Sequence, residues 1–345
     1  MKILIAASNM VHINNFHREY IQGFKNEGHD VYIMASGEGA DFDIGFKKRS
    51  LSFKNWRLSK KIKKIIKEEK FDIIYLHTSL CAFWVRYALR GLKERPRVIN
   101  TVHGYLFGKG FSKLHNFIYL RCERLLRKQT DVVVVMNDED YEIATKNNLA
   151  SERVEKIDGM GVKFPHIPLE RKNKENKKTN LVFVGEISKR KNQIFLVRAM
   201  KRLPDMTLTL VGDGAERKEI EKLIKKENLG TRVQITGFTK DVYSYLSRAD
   251  IYVSASKIEG LPFNIMEAMW AGIPIAATSI KGHCDLLPSE CLYPTDNEDE
   301  FVKLVNTILE TDIKYDIQKY SFDAVFEKNM KLYEASSEKQ EILAQ

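Results

Sequence analysis

The strongest constraint on this chain is one pattern of alternation that it states twice. Short apolar runs at Ile3–Ala7, Val31–Met34, Ile73–Leu76, Val98–Val102 and Val132–Met136 are separated by longer amphipathic or polar stretches. The same alternation restarts with Leu181–Gly185, Leu208–Gly212, Val233–Gly237, Ile251–Ser254 and Ile273–Thr278. Strand-sized apolar runs alternating with helix-like stretches are the pattern of a parallel sheet with crossover helices. Between the two series lies a charged run, Lys172-Asn-Lys-Glu-Asn-Lys-Lys178. The expected organisation is a Rossmann-like domain over 1–170, a linker over 171–179 and a second Rossmann-like domain over 180–320. The 321–345 tail, with Phe322, Val325, Phe326, Met330 and Tyr333 at helical spacing, is expected to form a helix that crosses back to the first domain.

Composition removes several classes. A length of 345 residues with 43% apolar residues suits two domains with sizeable cores. Cys81, Cys122, Cys284 and Cys291 form no CxxC and no ligand-like grouping with histidines, so neither a disulfide framework nor a metal site is expected. Neither series shows GxGxxG after its first strand, which disfavours an oxidoreductase. No apolar run reaches about 18 residues, so a cytoplasmic protein is expected.

The net charge of +10 is uneven, with a lysine-rich run from Lys47 to Lys70. That run fits one helix with Leu58, Ile62, Ile65 and Ile66 on its buried side. It lacks the interleaved aromatics of a nucleic-acid binder, so the basic face reads as solvated or as membrane-facing.

The most chemically specific stretch is Glu259-Gly-Leu-Pro-Phe-Asn-Ile-Met-Glu267-Ala-Met. Gly260 and Pro262 break what precedes them, and Ile265, Met266, Ala268 and Met269 begin a helical pattern. Glu259 is therefore expected on a loop and Glu267 in the first turns of a helix. Free backbone N–H groups at that helix start suit a diphosphate, and the flanking carboxylates suit hydroxyls. A nucleotide sugar presents both. A single glutamate at a helix start is more often a solvated residue, so the weight rests on the whole strand, loop, helix and strand unit.

Other loops add weaker signals. Gly185-Glu-Ile-Ser-Lys-Arg-Lys191 brings cations to a helix start, where they are normally disfavoured, and Lys191 aided by Arg190 suits an anion. Gly212-Asp-Gly214 leaves backbone open to close approach. His103 and Gly104 follow directly on a strand, so this imidazole is expected on the ligand side of the first sheet. Ser8, Asn9 and His12 form the matching loop after the first strand.

With Glu259 and Glu267 in an E-x7-E pattern, and with Gly185…Lys191, Gly212-Asp-Gly214, Val233–Phe238 and Thr101–Gly104 in support, the chain resembles the GT4 family of retaining glycosyltransferases, which includes many bacterial capsular and exopolysaccharide enzymes. The resemblance implies a GT-B fold, two Rossmann-like domains with parallel sheets facing across a cleft. It places Glu259 and His103 near the donor sugar, Glu267 on the nucleotide ribose and Lys191 on the diphosphate. Backbone amides around Leu261 to Ile265, a stretch that includes Pro262, Phe263 and Asn264, would bind the diphosphate oxygens, the base would sit near Phe238 and Thr239, and Ser8, Asn9 and His12 would face the acceptor. Two departures stand out. Glu186 takes the place of an arginine common in relatives, and Lys281-Gly-His-Cys-Asp285 replaces a usual Gly-Gly and Glu.

The expected reaction moves a hexose or N-acetylhexosamine from a UDP-sugar to a lipid-linked oligosaccharide, without a metal or other cofactor and with no nucleic-acid partner. Alternatives are a GT-B-type epimerase or phosphorylase, and a basic nucleic-acid-binding protein. The helix-like segment from Ser112 to Lys128, with Leu114, Phe117, Ile118 and Leu125 among arginines, suggests contact with an anionic membrane surface.

Overall fold

The computed structural model describes residues 1–46, 53–165 and 178–343, with side chains for all but 53–54 and 336–343. Two compact units result: Met1–Met160 with Asp323–Gln345, and Gly161–Phe322. Most of the expected linker lies outside the described residues, and Thr179 already opens a strand. The stretch after Met160 is tied into the second unit, because the Val162 N–H donates to the Tyr320 carbonyl at 2.9 Å and the Phe322 N–H to the Val162 carbonyl at 2.8 Å.

In the first unit, strands β1 (Lys2–Ala6), β2 (Asp30–Ala35), β3 (Phe42–Asp43), β4 (Ile73–His77), β5 (Arg97–Thr101), β6 (Val132–Val135) and β7 (Arg153–Lys156) form one sheet. Its order is β3-β2-β1-β4-β5-β6-β7 and every pairing is parallel. The four valines of β6 are all buried, as expected of a strand covered on both faces. The order reverses between β1 and β4. Loops leaving these two strands part company there, which opens a crevice at the carboxyl ends.

Local chemistry sets the helix starts. Asn137 caps Asp138–Lys146, accepting from the Asp140 N–H, and three acids follow in the first turn, where the helix dipole favours them. Ser112 caps Lys113–Leu126. That second helix is pinned from below by Arg86, whose buried guanidinium takes both oxygens of Glu123 at 2.8 and 3.0 Å. Ile62 and Ile66 of the Phe53–Glu69 helix are buried and Leu58 and Ile65 pack partly against the same core, while Lys47–Ser52 of the basic run lie outside the described residues.

The final helix, Phe322–Leu343, packs on the first unit. Tyr333 meets Tyr75 edge-on with ring centroids 4.8 Å apart, and Asn329 donates to the Tyr20 hydroxyl and the Gly159 carbonyl, each at 3.0 Å.

The second unit repeats the winding. Strands β8 (Thr179–Val184), β9 (Met206–Val211), β10 (Val233–Gly237), β11 (Ile251–Ser254), β12 (Ile275–Thr278) and β13 (Leu292–Tyr293) form a parallel sheet in the order β10-β9-β8-β11-β12-β13. Here the reversal falls between β8 and β11. Among the described residues, no helix is long and apolar enough to cross a membrane.

Candidate active site

The loops after β8 and β11 are neighbours because their strands pair, and this brings together residues 69 positions apart in sequence. Lys191 Nζ lies 2.6 Å from one oxygen of Glu259, and Arg190 Nη1 lies 2.9 Å from the other. The Lys257 N–H donates to the Arg190 carbonyl at 2.9 Å, which stitches the two loops together. Lys191 and Glu259 are each only 7% exposed, whereas the Arg190 guanidinium reaches solvent. Burial by itself would raise the Glu259 pKa. The charges of Lys191 and Arg190, with His283 behind them, overcome that and hold it at about 2. Burial in turn draws the Lys191 pKa below the usual lysine value despite the carboxylate beside it. This is a cation poised at low dielectric.

Glycines shape the floor of this crevice. Gly185 and Gly212 both adopt positive φ, and a Cβ on Gly212 would run into the Gly185 carbonyl oxygen. A Cβ on Gly214 would meet the Ile187 backbone. These glycines let the β8 and β9 loops touch, a reason that a turn motif alone does not reveal. Glu186 is exposed, and its carbonyl accepts from Gln193 Nε2 at 2.7 Å, so the helix start is braced through its backbone.

Beyond the β11 loop, Leu261 and Pro262 lead into the helix Phe263–Trp270, which has no side-chain cap. In its first turn the Ile265 N–H donates to the Pro262 carbonyl at 3.2 Å. Asn264 does not cap it either. Its Nδ2 donates to the Val184 carbonyl at 2.8 Å and the Tyr252 hydroxyl at 2.7 Å, which ties the helix to the end of β8. Ile265 is buried in the core.

Glu267 sits one turn further on, and burial pushes its pKa up to about 7 with no cation to oppose it. The hydroxyl of Tyr243, whose own pKa is raised by burial and by the Glu267 charge, is buried without a hydrogen-bond partner. Phe238, after β10, is 79% exposed, and Thr239 accepts the Asp241 N–H at 3.0 Å.

The loop after β12 supplies a residue that sequence reasoning missed. Gly282 abuts the Gly260 carbonyl so closely that a Cβ would lie 2.5 Å from its oxygen. The next residue, His283, is fully buried. Its Nδ1 donates to the Thr278 carbonyl at 2.8 Å, and burial lowers its pKa to about 4. A neutral imidazole thus backs Glu259. The departure at Lys281–Asp285 was the available signal.

A catalogued family, Glycosyltransferase Family 4, matches residues 13–158, and a second, Glycosyl transferases group 1, matches residues 168–321. Together with the two parallel sheets, these matches decide the family. The chain is a GT-B glycosyltransferase. EpsD of Bacillus subtilis (strain 168) is 29% identical over 307 residues, covering 83% of this chain and 81% of EpsD. The UDP-Gal:alpha-D-GlcNAc-diphosphoundecaprenol alpha-1,3-galactosyltransferase of Escherichia coli is 30% identical over 243 residues, covering 66% of this chain and 62% of that enzyme. Among solved structures, Anabaena HepE in complex with UDP superposes with a TM-score of 0.71 at 18% identity, covering 97% of this chain and all of HepE. That likeness is one of fold.

In the transferase's first unit, the crevice between β1 and β4 has another chemistry. Ser8 and Thr78 close it, with the hydroxyl oxygens 2.6 Å apart and the Ser8 N–H donating to the Thr78 hydroxyl at 2.9 Å. Thr78 holds a φ of 68°, rare for a β-branched residue and a mark of local strain. Asn9 is occupied as a helix cap, accepting from the His12 N–H at 2.9 Å. His103 emerges from β5 with Nε2 3.3 Å from His77 Nδ1, and burial lowers its pKa to about 3. His12 meets it edge-on with centroids 4.8 Å apart, and its pKa falls to about 4. His17 and His77, which sequence reasoning did not single out, complete the group.

Proposed function

We propose that the transferase moves a hexose or N-acetylhexosamine from a UDP-sugar, with retention at the anomeric carbon, to a lipid-linked oligosaccharide in capsular or exopolysaccharide synthesis. The observation that carries this reading is the buried Lys191–Glu259 pair, with Arg190 bonded to it from the solvent side, at the carboxyl ends of β8 and β11. A buried lysine with an arginine at its solvent edge is suited to the negative charge that builds on a departing diphosphate. No metal is needed for that stabilisation. Glu259, held ionised, accepts a hydroxyl of the donor sugar. Glu267 accepts the ribose hydroxyls, which favour its ionised form. The exposed Phe238 offers a stacking face to the base. The name of the Escherichia coli relative, with a UDP-linked donor and a diphosphoundecaprenol acceptor, supports the donor and acceptor classes.

A lipid-borne acceptor calls for a membrane-facing surface, and the Lys113–Leu126 helix supplies one. Leu114 is 70% exposed and Phe117 60%, with Ile118 and Leu125 also out and Arg121 lying over the Phe117 ring at 5.7 Å. An apolar stripe among arginines fits an anionic leaflet, at the cytoplasmic face.

Thermal unfolding with a panel of nucleoside diphosphate sugars tests the donor assignment. UDP-sugars should raise the midpoint, and Glu267→Ala should abolish the rise. An unchanged midpoint throughout the panel would defeat it. Nucleotide released only when acceptor is present distinguishes transfer from epimerisation or phosphorolysis. Sedimentation with anionic vesicles, lost in Leu114→Ser/Phe117→Ser, tests the surface.

A further inference from the structure

The first unit gathers four histidines that no single sequence motif links. At least one nitrogen from each of His12, His17, His77 and His103 lies within 4.8 Å of the others. Chain geometry brings them there. His77 ends β4 and His103 follows β5, so parallel pairing sets them side by side. In a continuous helix, residues five apart point about 140° apart, yet the His12 and His17 ring centroids are 5.1 Å apart because the helix breaks at His17 before resuming at Arg18.

The nitrogens are poorly used. The buried Nε2 atoms of His12 and His17 have no hydrogen-bond partner, and His17 is 1% exposed. The pair His77 and His103 shares a single contact. Burial is the largest influence on all four rings, followed where anything else acts by the neighbouring histidines, and no carboxylate figures among the causes. All are neutral at neutral pH, so each ring carries one nitrogen lone pair, and one of the four accepts in the His77–His103 contact.

We infer that this cluster is a binding site for a divalent transition-metal ion of borderline softness, zinc above all. Neutral imidazole is the commonest protein ligand for such ions, and a ligand set without carboxylates excludes magnesium and calcium. The 3.3 Å between His77 Nδ1 and His103 Nε2 equals the edge of a tetrahedron drawn with zinc–nitrogen bonds of about 2.0–2.1 Å. Ligation therefore needs the widest pair to close by about 1.5 Å. A bound ion would use the lone pairs that the protein leaves idle, and it would anchor the Ser8–His12 turn to the ends of β4 and β5. Donor chemistry in the second unit proceeds without it.

Chelator-stripped, untagged full-length protein titrated with Co2+ at about pH 7.5, where the ligands are deprotonated, reads the site without nucleotide or acceptor. One equivalent should bind with the intense visible absorption of a four-coordinate nitrogen-ligated ion, and Zn2+ should bleach it. His17→Gln/His77→Gln should weaken binding by more than the roughly 10–100-fold expected for losing an outer-shell partner. His29→Gln/His115→Gln, outside the cluster, should titrate like the parent. If the buried double variant does not fold, the half-buried His12→Asn should show the same weakening. No cobalt band, or a titration unchanged in His12→Asn, overturns the site and leaves the UDP-sugar assignment standing.

Discussion

At the carboxyl ends of β1 and β4, four neutral imidazoles pack without a counter-charge, whereas at the carboxyl ends of β8 and β11 a buried carboxylate is clasped by two cations. Both crevices arise from the same strand order reversal, so topology explains their position and nothing about their chemistry. Side chains in the loops decide that. The second unit's crevice presents two cations around one carboxylate, which the proposed function assigns to an anion that gains charge. In the first unit, the crevice presents lone pairs and hydroxyls. The contrast suggests a division of labour between leaving-group stabilisation and acceptor handling, and it can be broken at several points.

The largest effect is expected at Lys191. Lys191→Ala should lower kcat/KM by about 10²–10³-fold, the cost of losing one preorganised charge-stabilising group, while His12→Asn should fall well short of that. Steady-state assays with purified acceptor compare the two. Equal losses would erase the distinction.

Acid should separate the units next. The folded pKa of His12 is about 4 against an ordinary value near 6.5, so the unfolded chain takes up the proton first. Stability is therefore full above about pH 6.5 and is lost as pH falls toward 4, by about 3 kcal/mol for this residue alone. Glu259 has the opposite charge type. Its folded pKa is about 2 against 4.5, so its contribution is present above pH 4.5 and disappears only as pH falls toward 2. Hydrogen exchange resolved by unit, measured from pH 7 to 4, should show the first unit opening first. Simultaneous opening would contradict the assignment of these shifts.

Glu267 sharpens the comparison within the second unit. Its raised pKa means that the folded state holds a proton up to about pH 7, so stability falls as pH rises from 4.5 to 7. Glu267→Gln should therefore be more stable than the parent at pH 8 by about 1–3 kcal/mol, with the difference gone at pH 4. Donor affinity should move the other way, weakening in the parent by up to about tenfold per pH unit below 7 as the carboxylate is protonated. Calorimetric titration of UDP across this range reads the slope, which the glutamine variant should flatten.

The smallest effect belongs to Phe238→Ala. Losing one base–aromatic stack should weaken nucleotide binding by about 1–3 kcal/mol without changing kcat. A change in kcat with binding intact would place the ring elsewhere.

How far the site could be read beforehand differed by residue. The placement of Lys191, Glu259 and Glu267 was legible, because the first two stand on loops between a strand and a helix and the third in the helix that follows the Gly260 and Pro262 break. Asn264 was expected to contribute through its backbone, and the structure adds a side-chain role that the sequence did not show, with Nδ2 donating to the Val184 carbonyl and the Tyr252 hydroxyl. Gly212 and Gly214 suggested room for a ligand, and the structure adds a neighbouring loop that needs the same space. His283 was visible only as a departure from relatives, while His17 and His77 gave no signal at all.

By itself, the sequence determined the two parallel sheets and the loops at which chemistry is sited, because apolar runs and their interruptions are local properties of the chain. Tertiary structure alone decided which loops meet. Arg190 and Glu259 become partners only when β8 pairs with β11, and four scattered histidines become one group only when β4 pairs with β5 and a helix breaks at His17. The same pairing decided protonation. A pKa is set by burial and by neighbouring charge, and both are properties of packing that no stretch of residues carries alone.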